Sequence, residues 1–211
     1  MIYKLELEAE KVGGRVHFIM GNHEQLNLIG DYRDVHKKYE MIAEQIKVPY
    51  KEWLSKRSVI GSWLHNKNCM EKIGENIFVH GGIHPEMIEY GWSGTEINEI
   101  FRNAMNSSKT YTKEETLITG KNGPLWYRGM SLQELSQGQV DKIVSAFNVK
   151  RVVVGHTVVN PEKISMLYDG RVVNIDLYHA GNLKRGILRG LLITKDGYFE
   201  IDDQMNKQIL N

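Results

Sequence analysis

The apolar residues near the start of the chain are spaced first for a helix and then for a strand. Positions on one helical face predict a first helix, and they are Ile2, Leu5, Ala9 and Val12. Gly13-Gly14 ends that helix, because glycine readily adopts the left-handed conformation found at helix ends. Residues 15–20 then predict a buried strand. A helix that leads into a buried strand is the second half of a βαβ unit, so we expect the first strand of the unit to be missing.

The middle of the chain alternates between helical and strand patterns. Residues 34–64 predict mainly helix, with Trp53 and Trp63 as core anchors. Residues 69–79 fit two short strands around a glycine-containing turn. A further helix is indicated by the spacing of Ile97, Ile100, Phe101 and Ala104. Residues 109–129 are polar and rich in glycine, which indicates irregular structure.

The last third of the chain predicts one helix and then several strands. Ser131 and Glu134 have the spacing of a capping box, for a helix that runs to about Phe147. A buried strand is predicted at 151–154, and further strands are predicted at 164–167, 171–177, 186–194 and 198–201. The whole pattern predicts a single α/β domain over residues 1–211.

The composition is that of an ordinary soluble globular domain, with 41% hydrophobic and 25% charged residues. A formal net charge of +1 gives no basic field, so we expect no nucleic-acid partner. No apolar run approaches the roughly 18 residues that span a bilayer, so we expect no membrane partner either. The single cysteine, Cys69, excludes an internal disulfide and a cysteine-rich zinc site. The oligomeric state and the compartment stay open, since any targeting segment would lie upstream of Met1.

Three of the predicted strands end in a histidine that is flanked by glycine. The three junctions are Gly21-Asn22-His23-Glu24, His80-Gly81-Gly82 and Gly155-His156-Thr157. Ligands of α/β sheets gather at the carboxyl ends of strands, and glycine lets the backbone approach an ion or a phosphate closely. We therefore expect these three loops to converge on one site.

The side chains in these loops have the chemistry of a metal site. Asn22, His80 and His156 together offer nitrogen and oxygen donors, in which imidazole suits zinc or iron and the amide oxygen suits harder ions such as manganese. Neutral histidine is the binding form, so we expect metal occupancy to fall in mild acid. His23 is the neighbour of Asn22 and need not bind the metal. A neighbouring histidine that does not bind the metal is a natural proton donor to a leaving alkoxide.

Any one of these histidines alone is more often an ordinary surface or core residue. The recurrence of three such junctions is what favours a site. The other histidines have no comparable setting and are expected to be ordinary; they are His17, His36, His65, His84 and His179.

In order and spacing, the three junctions resemble the third, fourth and fifth motifs of calcineurin-like metallophosphoesterases. The surrounding sequence is most similar to bacterial Shewanella-like protein phosphatases at residues 16–20, 78–83 and 123–128, and the resemblance covers essentially the whole chain. It implies an α/β fold made of a sandwich of two mixed β-sheets flanked by helices. The N-terminal strands of that fold are expected to be missing.

The resemblance also implies a role for each residue. Asn22, His80 and His156 would bind the second of two divalent metal ions, which would be manganese or an iron and zinc pair. His23 would be the general acid. Arg128 would hold the phosphate, since a guanidinium pairs with two phosphate oxygens at once. The implied reaction is hydrolysis of a phosphoprotein or small phosphoester by a hydroxide activated between two metal ions about 3.5–4 Å apart.

Two earlier family motifs, Asp-x-His and Gly-Asp-x-x-Asp-Arg-Gly, are not found before Gly21. The segment from Gly30 to Asp34 is superficially similar to the second of them, but it follows the third motif and therefore lies on the wrong loop. We therefore expect a truncated or mis-called start, at most one partial metal site, and poor or absent hydrolysis by this chain alone. Robust manganese-dependent hydrolysis of an aryl phosphate, abolished by His80→Ala, would contradict that expectation.

Three other interpretations stay open. A diadenosine polyphosphate hydrolase is the nearest alternative enzyme, and it would prefer dinucleoside polyphosphates to phosphopeptides. A non-catalytic phosphate- or protein-binding remnant also fits the missing motifs, although the five site residues above are all retained. Completion of the site by a second chain requires the missing motifs to be encoded elsewhere.

Overall fold

The computed structural model describes residues 1–107 and 110–210. Its helices are α1 (Ile2–Glu10), α2 (Asn22–Leu28), α3 (Lys37–Ile46), α4 (Tyr50–Trp53), α5 (Val59–His65), α6 (Pro85–Glu89), α7 (Gly94–Asn106), α8 (Lys113–Thr119), α9 (Gln137–Ala146) and α10 (His179–Lys184). Its strands are β1 (Met70–Ile73), β2 (Asn76–Val79), β3 (Arg151–Val154), β4 (Ser165–Leu167), β5 (Val172–Asn174), β6 (Arg189–Thr194), β7 (Gly197–Asp202) and β8 (Lys207–Ile209). Within the described residues, no helix is long and apolar enough to cross a membrane.

Five strands form one mixed sheet in the order β1-β2-β3-β5-β4. The central strands β2, β3 and β5 are parallel, and β1 and β4 pair antiparallel at the two edges. Side chains alternate along β3, so Val152 and Val154 pack on the helical side while Val153 packs on the opposite side. Both faces of the sheet are covered, which explains why its central strands are continuous apolar runs in the sequence.

Helices α7 and α9 bury their apolar sides in the core that covers one face of this sheet. Phe101 of α7 and Ile143 of α9 are almost completely buried there. Helix α7 begins at a capping box, in which Ser93 N–H donates to Glu96 Oε2 at 2.8 Å and Glu96 N–H donates to Ser93 Oγ at 3.3 Å. The helix predicted from the spacing around Phe101 is confirmed.

A second sheet covers the other face. Its strands run in the order β6-β7-β8, and Leu191 of β6 packs against Val153 and Val173 of the first sheet. The Tyr198 hydroxyl of β7 also donates to Asn76 Oδ1 at 2.6 Å, which ties the sheets together. The α/β sandwich is confirmed. This sheet is antiparallel, however, and its predicted mixed character was wrong, since short turns between successive strands join only antiparallel neighbours.

The segment 15–20 forms one isolated bridge instead of the predicted strand. Ile19 pairs in parallel with Asn68, and Met20 N–H donates to Asn68 O at 2.9 Å. Among the described residues only this pairing extends the sheet past β1, and a strand requires a longer ladder of hydrogen bonds. The apolar run was nevertheless a correct sign of burial, because Met20 is completely buried.

The capping box predicted at Ser131 and Glu134 was also wrong. Helix α9 starts later, with Ser136 as its N-cap and Gln139 completing the box. Gln133 has φ +56, which lies in the left-handed region and is incompatible with a right-handed helix. The Ser131 side chain is buried, where its hydroxyl accepts a hydrogen bond from a residue of β5.

The stretch 109–129, predicted to be irregular, contains helix α8. Lys109 lies outside the described residues. The overlooked signal was a second capping box, in which Thr112 Oγ1 accepts from Glu115 N–H at 3.1 Å and Glu115 Oε2 accepts from Thr112 N–H at 2.9 Å. Helix α10 and strand β8 were likewise not predicted, since both are short.

The two tryptophans predicted as core anchors differ in their packing. Trp63 packs tilted against Phe18 at 4.7 Å between ring centroids, and its indole N–H donates to Glu6 Oε2 at 2.6 Å. It therefore joins helix α1 to the body of the protein. Trp53 instead donates to Val48 O at 3.2 Å near the surface and does not join the core cluster, so that prediction was wrong.

Candidate metal and phosphate site

Two of the predicted site residues leave the ends of neighbouring parallel strands. Val79 of β2 pairs with Val154 of β3, so His80 and Gly155 emerge side by side. Gly155 N–H donates to His80 O at 2.9 Å and extends the pairing by one step. The imidazoles then meet, with His80 Nε2 at 3.0 Å from His156 Nδ1. The expected convergence of these two loops is therefore present.

The third loop contributes Asn22, the first residue of α2. Its side chain is buried, and Asn22 Oδ1 lies 2.9 Å from His80 Nε2. Glu24 shapes this loop, because its Oε2 accepts the N–H of the N-cap residue Gly21 at 3.0 Å. A Cβ at Gly21 would lie 2.7 Å from that oxygen and 3.3 Å from the His80 ring, so a larger residue would displace the Glu24 carboxylate that caps the helix and press on the His80 ring.

His80 Nε2 is spaced from the other two donor atoms as neighbours are in a metal coordination shell. Bonds of about 2.0–2.2 Å that meet at right angles place adjacent donors about 3.0 Å apart. The two distances at His80 Nε2 are 2.9 and 3.0 Å. A single proton on that nitrogen cannot point at both Asn22 Oδ1 and His156 Nδ1, whereas a cation would face all three lone pairs. The donor set therefore fits a divalent ion.

The set contains two imidazoles and one amide. Among the described residues, no group of three or more His, Cys, Asp or Glu side chains is placed to hold a metal ion, so Asn22 is needed to complete the trio. On the far side of its ring, His156 Nε2 is buried without a hydrogen-bond partner in the described part of the chain. His156 Nδ1 is the nitrogen that faces the cluster.

Burial keeps both imidazoles neutral. It lowers the pKa of His80 to about 4, and the nearby charges of His23 and Arg128 act in the same direction. Burial also lowers the pKa of His156 to about 4, with further contributions from His80, Arg128 and His23. Neutral imidazole is the form that binds metal, so the environment preserves the binding form well below neutral pH.

Arg128 reaches this cluster from a different loop. Its Nη1 donates to His156 O at 2.6 Å and to Thr157 Oγ1 at 2.8 Å. His156 has φ +63, a left-handed conformation that costs a residue other than glycine about 1 kcal/mol or more. Arg128 helps to hold the loop in that conformation, and the Trp126 and His156 rings meet in a T-shaped arrangement with their centroids 6.0 Å apart.

The loop that carries Arg128 is fastened to the His80 loop through the backbone. Gly81 N–H donates to Pro124 O at 2.7 Å, and Gly82 N–H donates to the same oxygen at 3.2 Å. A Cβ at Gly81 would lie 2.9 Å from Pro124 O, so only glycine permits this contact without displacement. The glycines after His80 thus set the position of the guanidinium relative to the imidazoles.

His23 lies at the outer side of the cluster. It follows Asn22 on α2, and 60% of its side chain is exposed. Its charge contributes to the lowered pKa of His80, which places it near the trio. His23 Nδ1 also lies 3.5 Å from Asp34 Oδ2. This contact was not predicted, because Asp34 lies in the loop that follows the third motif.

Three of the five histidines expected to be ordinary have local structural contacts. His36 and His84 act as N-caps, since each Nδ1 accepts a backbone N–H in the first turn of α3 or α6. His17 lies 3.8 Å from the carboxylate of Glu71. The sequence did miss one polar residue beside the site, the buried Asn174 at the end of β5. A polar residue that ends an apolar strand was the available signal.

Comparison with known proteins identifies the family to which the chain is similar. The family model described as calcineurin-like phosphoesterase matches residues 2–160. The chain is 26% identical over 239 residues to Shewanella-like protein phosphatase 2 of Arabidopsis thaliana, which covers 92% of this chain and 60% of that protein. It is 29% identical over 201 residues to an uncharacterized protein of Schizosaccharomyces pombe, which covers 88% of this chain and 58% of that protein.

A solved structure has the same fold. The cold-active protein-tyrosine phosphatase of a psychrophilic Shewanella species superposes with a TM-score of 0.87 and 32% identity, over 100% of this chain and 63% of that one. The chain therefore spans somewhat less than two thirds of the length of the relatives it matches.

Proposed function

The chain belongs to the calcineurin-like phosphoesterase family, and we propose that it forms the metal- and phosphate-binding part of a metal-dependent phosphatase. That enzyme would hydrolyse phosphoserine, phosphothreonine or phosphotyrosine in proteins. The observation that carries the proposal is the convergence of Asn22, His80 and His156 beside Arg128. The relatives named as protein phosphatases support a phosphoprotein substrate over a dinucleoside polyphosphate.

Asn22, His80 and His156 would hold one divalent ion. Their mixed oxygen and nitrogen donors suit manganese, iron or zinc. When bound, such ions supply Lewis-acid stabilisation of the charge on the phosphoryl oxygens. The residues themselves contribute a preformed, neutral donor set, because burial already holds the pKa of both imidazoles near 4. Little reorganisation is then needed for binding.

Arg128 would bind and orient the phosphate. Both of its hydrogen bonds to the His156 loop leave from Nη1, so the edge formed by Nε and Nη2 is directed away from those two acceptors. A guanidinium edge pairs with two phosphate oxygens in parallel, which fixes the phosphorus relative to the metal donors. The fixed hydrogen bonds at Nη1 lower the entropy that Arg128 would otherwise lose on binding.

His23 would supply the proton to the departing oxygen. Its exposure at the edge of the cluster lets a bulky leaving group such as a peptide hydroxyl approach it. Asn22 lies on the same helix turn, but its side-chain oxygen faces His80. The two adjacent residues would therefore perform separate tasks, proton donation by His23 and metal binding by Asn22.

Binding of inorganic phosphate, followed by calorimetry with and without Mn²⁺, tests this function on the chain itself. We expect affinity that depends on Mn²⁺ and is lost in His80→Ala and in Arg128→Ala. A phosphate affinity that changes neither with Mn²⁺ nor with these substitutions would overturn the proposal.

Turnover then separates the two substrate classes. A phosphopeptide and diadenosine tetraphosphate are compared at equal concentration in Mn²⁺, with slow hydrolysis expected because three donors serve one ion. Preferential hydrolysis of the phosphopeptide supports the phosphatase. Preferential hydrolysis of the dinucleotide would favour the alternative enzyme, and binding with no turnover of either would favour a non-catalytic phosphate-binding protein.

A further inference from the structure

Asn174 is a buried polar residue at the end of an otherwise apolar strand. It closes β5, pairs in register with Val154 of β3, and is 1% exposed. The preceding residues Val172 and Val173 fill the core on the two faces of the sheet. Burying the Asn174 amide directly after these valines costs free energy unless the amide makes its hydrogen bonds. The partners in those hydrogen bonds therefore show which parts of the structure Asn174 stabilises.

The partners of Asn174 lie on two different loops. Its Nδ2 donates to Thr157 O at 2.9 Å and to Ser131 Oγ at 2.8 Å. Its Oδ1 accepts the N–H of Asp176 at 3.0 Å, which turns the chain after β5. Both amide hydrogens and the oxygen are thus used, and the side chain joins segments 17 and 43 residues away in the sequence.

Each of these loops carries a residue of the candidate site. Thr157 follows His156, and Ser131 lies in the turn after Arg128, where Leu132 N–H donates to Arg128 O at 2.9 Å. Arg128 itself crosses to the other loop through Thr157 Oγ1. The hydrogen bonds of Asn174 and of Arg128 therefore join the same two loops at two points. Together they restrain the Arg128 guanidinium relative to the His156 imidazole.

We propose that Asn174 is a positioning residue that fixes Arg128 against the loop of His156. The left-handed backbone of His156 supports this role, because a strained conformation persists only where surrounding contacts determine it. The expected effect of Asn174 on phosphate binding rests on the proposed function. The bracing of the two loops is inferred from the contacts alone. Asn174 acts through other residues and is not proposed to touch substrate.

The test compares Asn174→Leu with Asn98→Leu, a matched control. Asn98 is similarly buried, and its amide also makes three hydrogen bonds to main-chain groups, which are Cys69 N–H, Met70 N–H and Met70 O, whereas two of the three partners of Asn174 are main-chain groups and the third is the Ser131 hydroxyl. These bonds lie between β1 and α7, away from the two loops. Each protein is measured by hydrogen–deuterium exchange resolved to peptides and by calorimetric titration with phosphate in Mn²⁺.

We expect Asn174→Leu to exchange faster in the peptides around 126–132 and 155–158, and to bind phosphate about tenfold more weakly. Asn98→Leu should lose comparable thermal stability while both loops and the phosphate affinity stay unchanged. Should Asn174→Leu fail to fold, Ser131→Ala removes one of the two donations and is expected to show the same local loosening at smaller amplitude.

Unchanged exchange in both loops of a folded Asn174→Leu or Ser131→Ala protein would overturn the bracing role. Equal loss of phosphate affinity in Asn98→Leu would also overturn it, since the effect would then be one of general stability. If the unsubstituted chain binds no phosphate in Mn²⁺, the proposed function fails, and the exchange of the two loops still decides the bracing role.

Discussion

Replacing Gly81 with alanine tests how closely the His80 loop and the Arg128 loop depend on each other. The added Cβ would lie 2.9 Å from Pro124 O, 3.0 Å from Leu125 C and 3.0 Å from Trp126 N. All three neighbours are backbone atoms, so relief requires one loop to shift away from the other. Such overpacking costs about 1–3 kcal/mol of unfolding free energy. Weakening the 2.7 Å hydrogen bond from Gly81 N–H to Pro124 O adds about 0.5–1.5 kcal/mol.

The expected destabilisation of Gly81→Ala is therefore about 2–4 kcal/mol, measured by urea unfolding with the slope held common. Gly138→Ala is the matched control. A Cβ there would meet no atom within 4 Å, and the residue lies in helix α9. That substitution should stabilise the protein by about 0.5–1 kcal/mol, because alanine has the higher helix propensity. A Gly81→Ala protein within about 0.5 kcal/mol of the unsubstituted chain would refute this account of the loop packing.

Three further predictions follow from buried groups. In the metal-free chain, the unfolding free energy should fall by about 5 kcal/mol between pH 6.5 and pH 4, or about 2.6 kcal/mol for each of two histidines. The pKa of His80 and of His156 is about 4 when folded and near 6.5 when unfolded, so the unfolded state binds more protons as the pH falls; pH-independent urea midpoints in this range would contradict it. Cys69 is buried, which raises the pKa of its thiol, so it should react with a thiol reagent in urea and not in the native state; rapid native labelling would contradict this. Tyr198→Phe should cost about 1–2 kcal/mol in urea unfolding by leaving the buried Asn76 without this donor, and a neutral effect would show that the bond between the sheets is dispensable.

The features that sequence predicted well are those with local causes. The apolar runs of β2 and β3 indicated strands buried on both faces, and the glycine-flanked histidines at their ends indicated that the two loops would meet. The pairing of Val79 with Val154 then places His80 and His156 in contact, as the rule for parallel sheets leads one to expect. These inferences needed only a residue and its neighbours in sequence.

The features that sequence missed depend on partners far away in the chain. Ser131 and Glu134 have the spacing of a capping box, yet Ser131 bonds to Asn174, 43 residues later, and the helix starts elsewhere. Nothing local distinguished this serine from Thr112, whose box is real. The contact of His23 with Asp34 is of the same kind, because it depends on the path of the loop after α2.

Binding of Mn²⁺ to the purified chain, measured by calorimetry and by loss of the free-ion electron paramagnetic resonance signal, tests the central claim most directly. His80→Ala removes the nitrogen that lies between Asn22 Oδ1 and His156 Nδ1. His84→Ala is the control, since that histidine caps α6 instead. The account predicts one bound Mn²⁺ in the unsubstituted chain and in His84→Ala, and affinity at least about tenfold weaker in His80→Ala. Equal Mn²⁺ binding by all three proteins, or none by any of them, would contradict it.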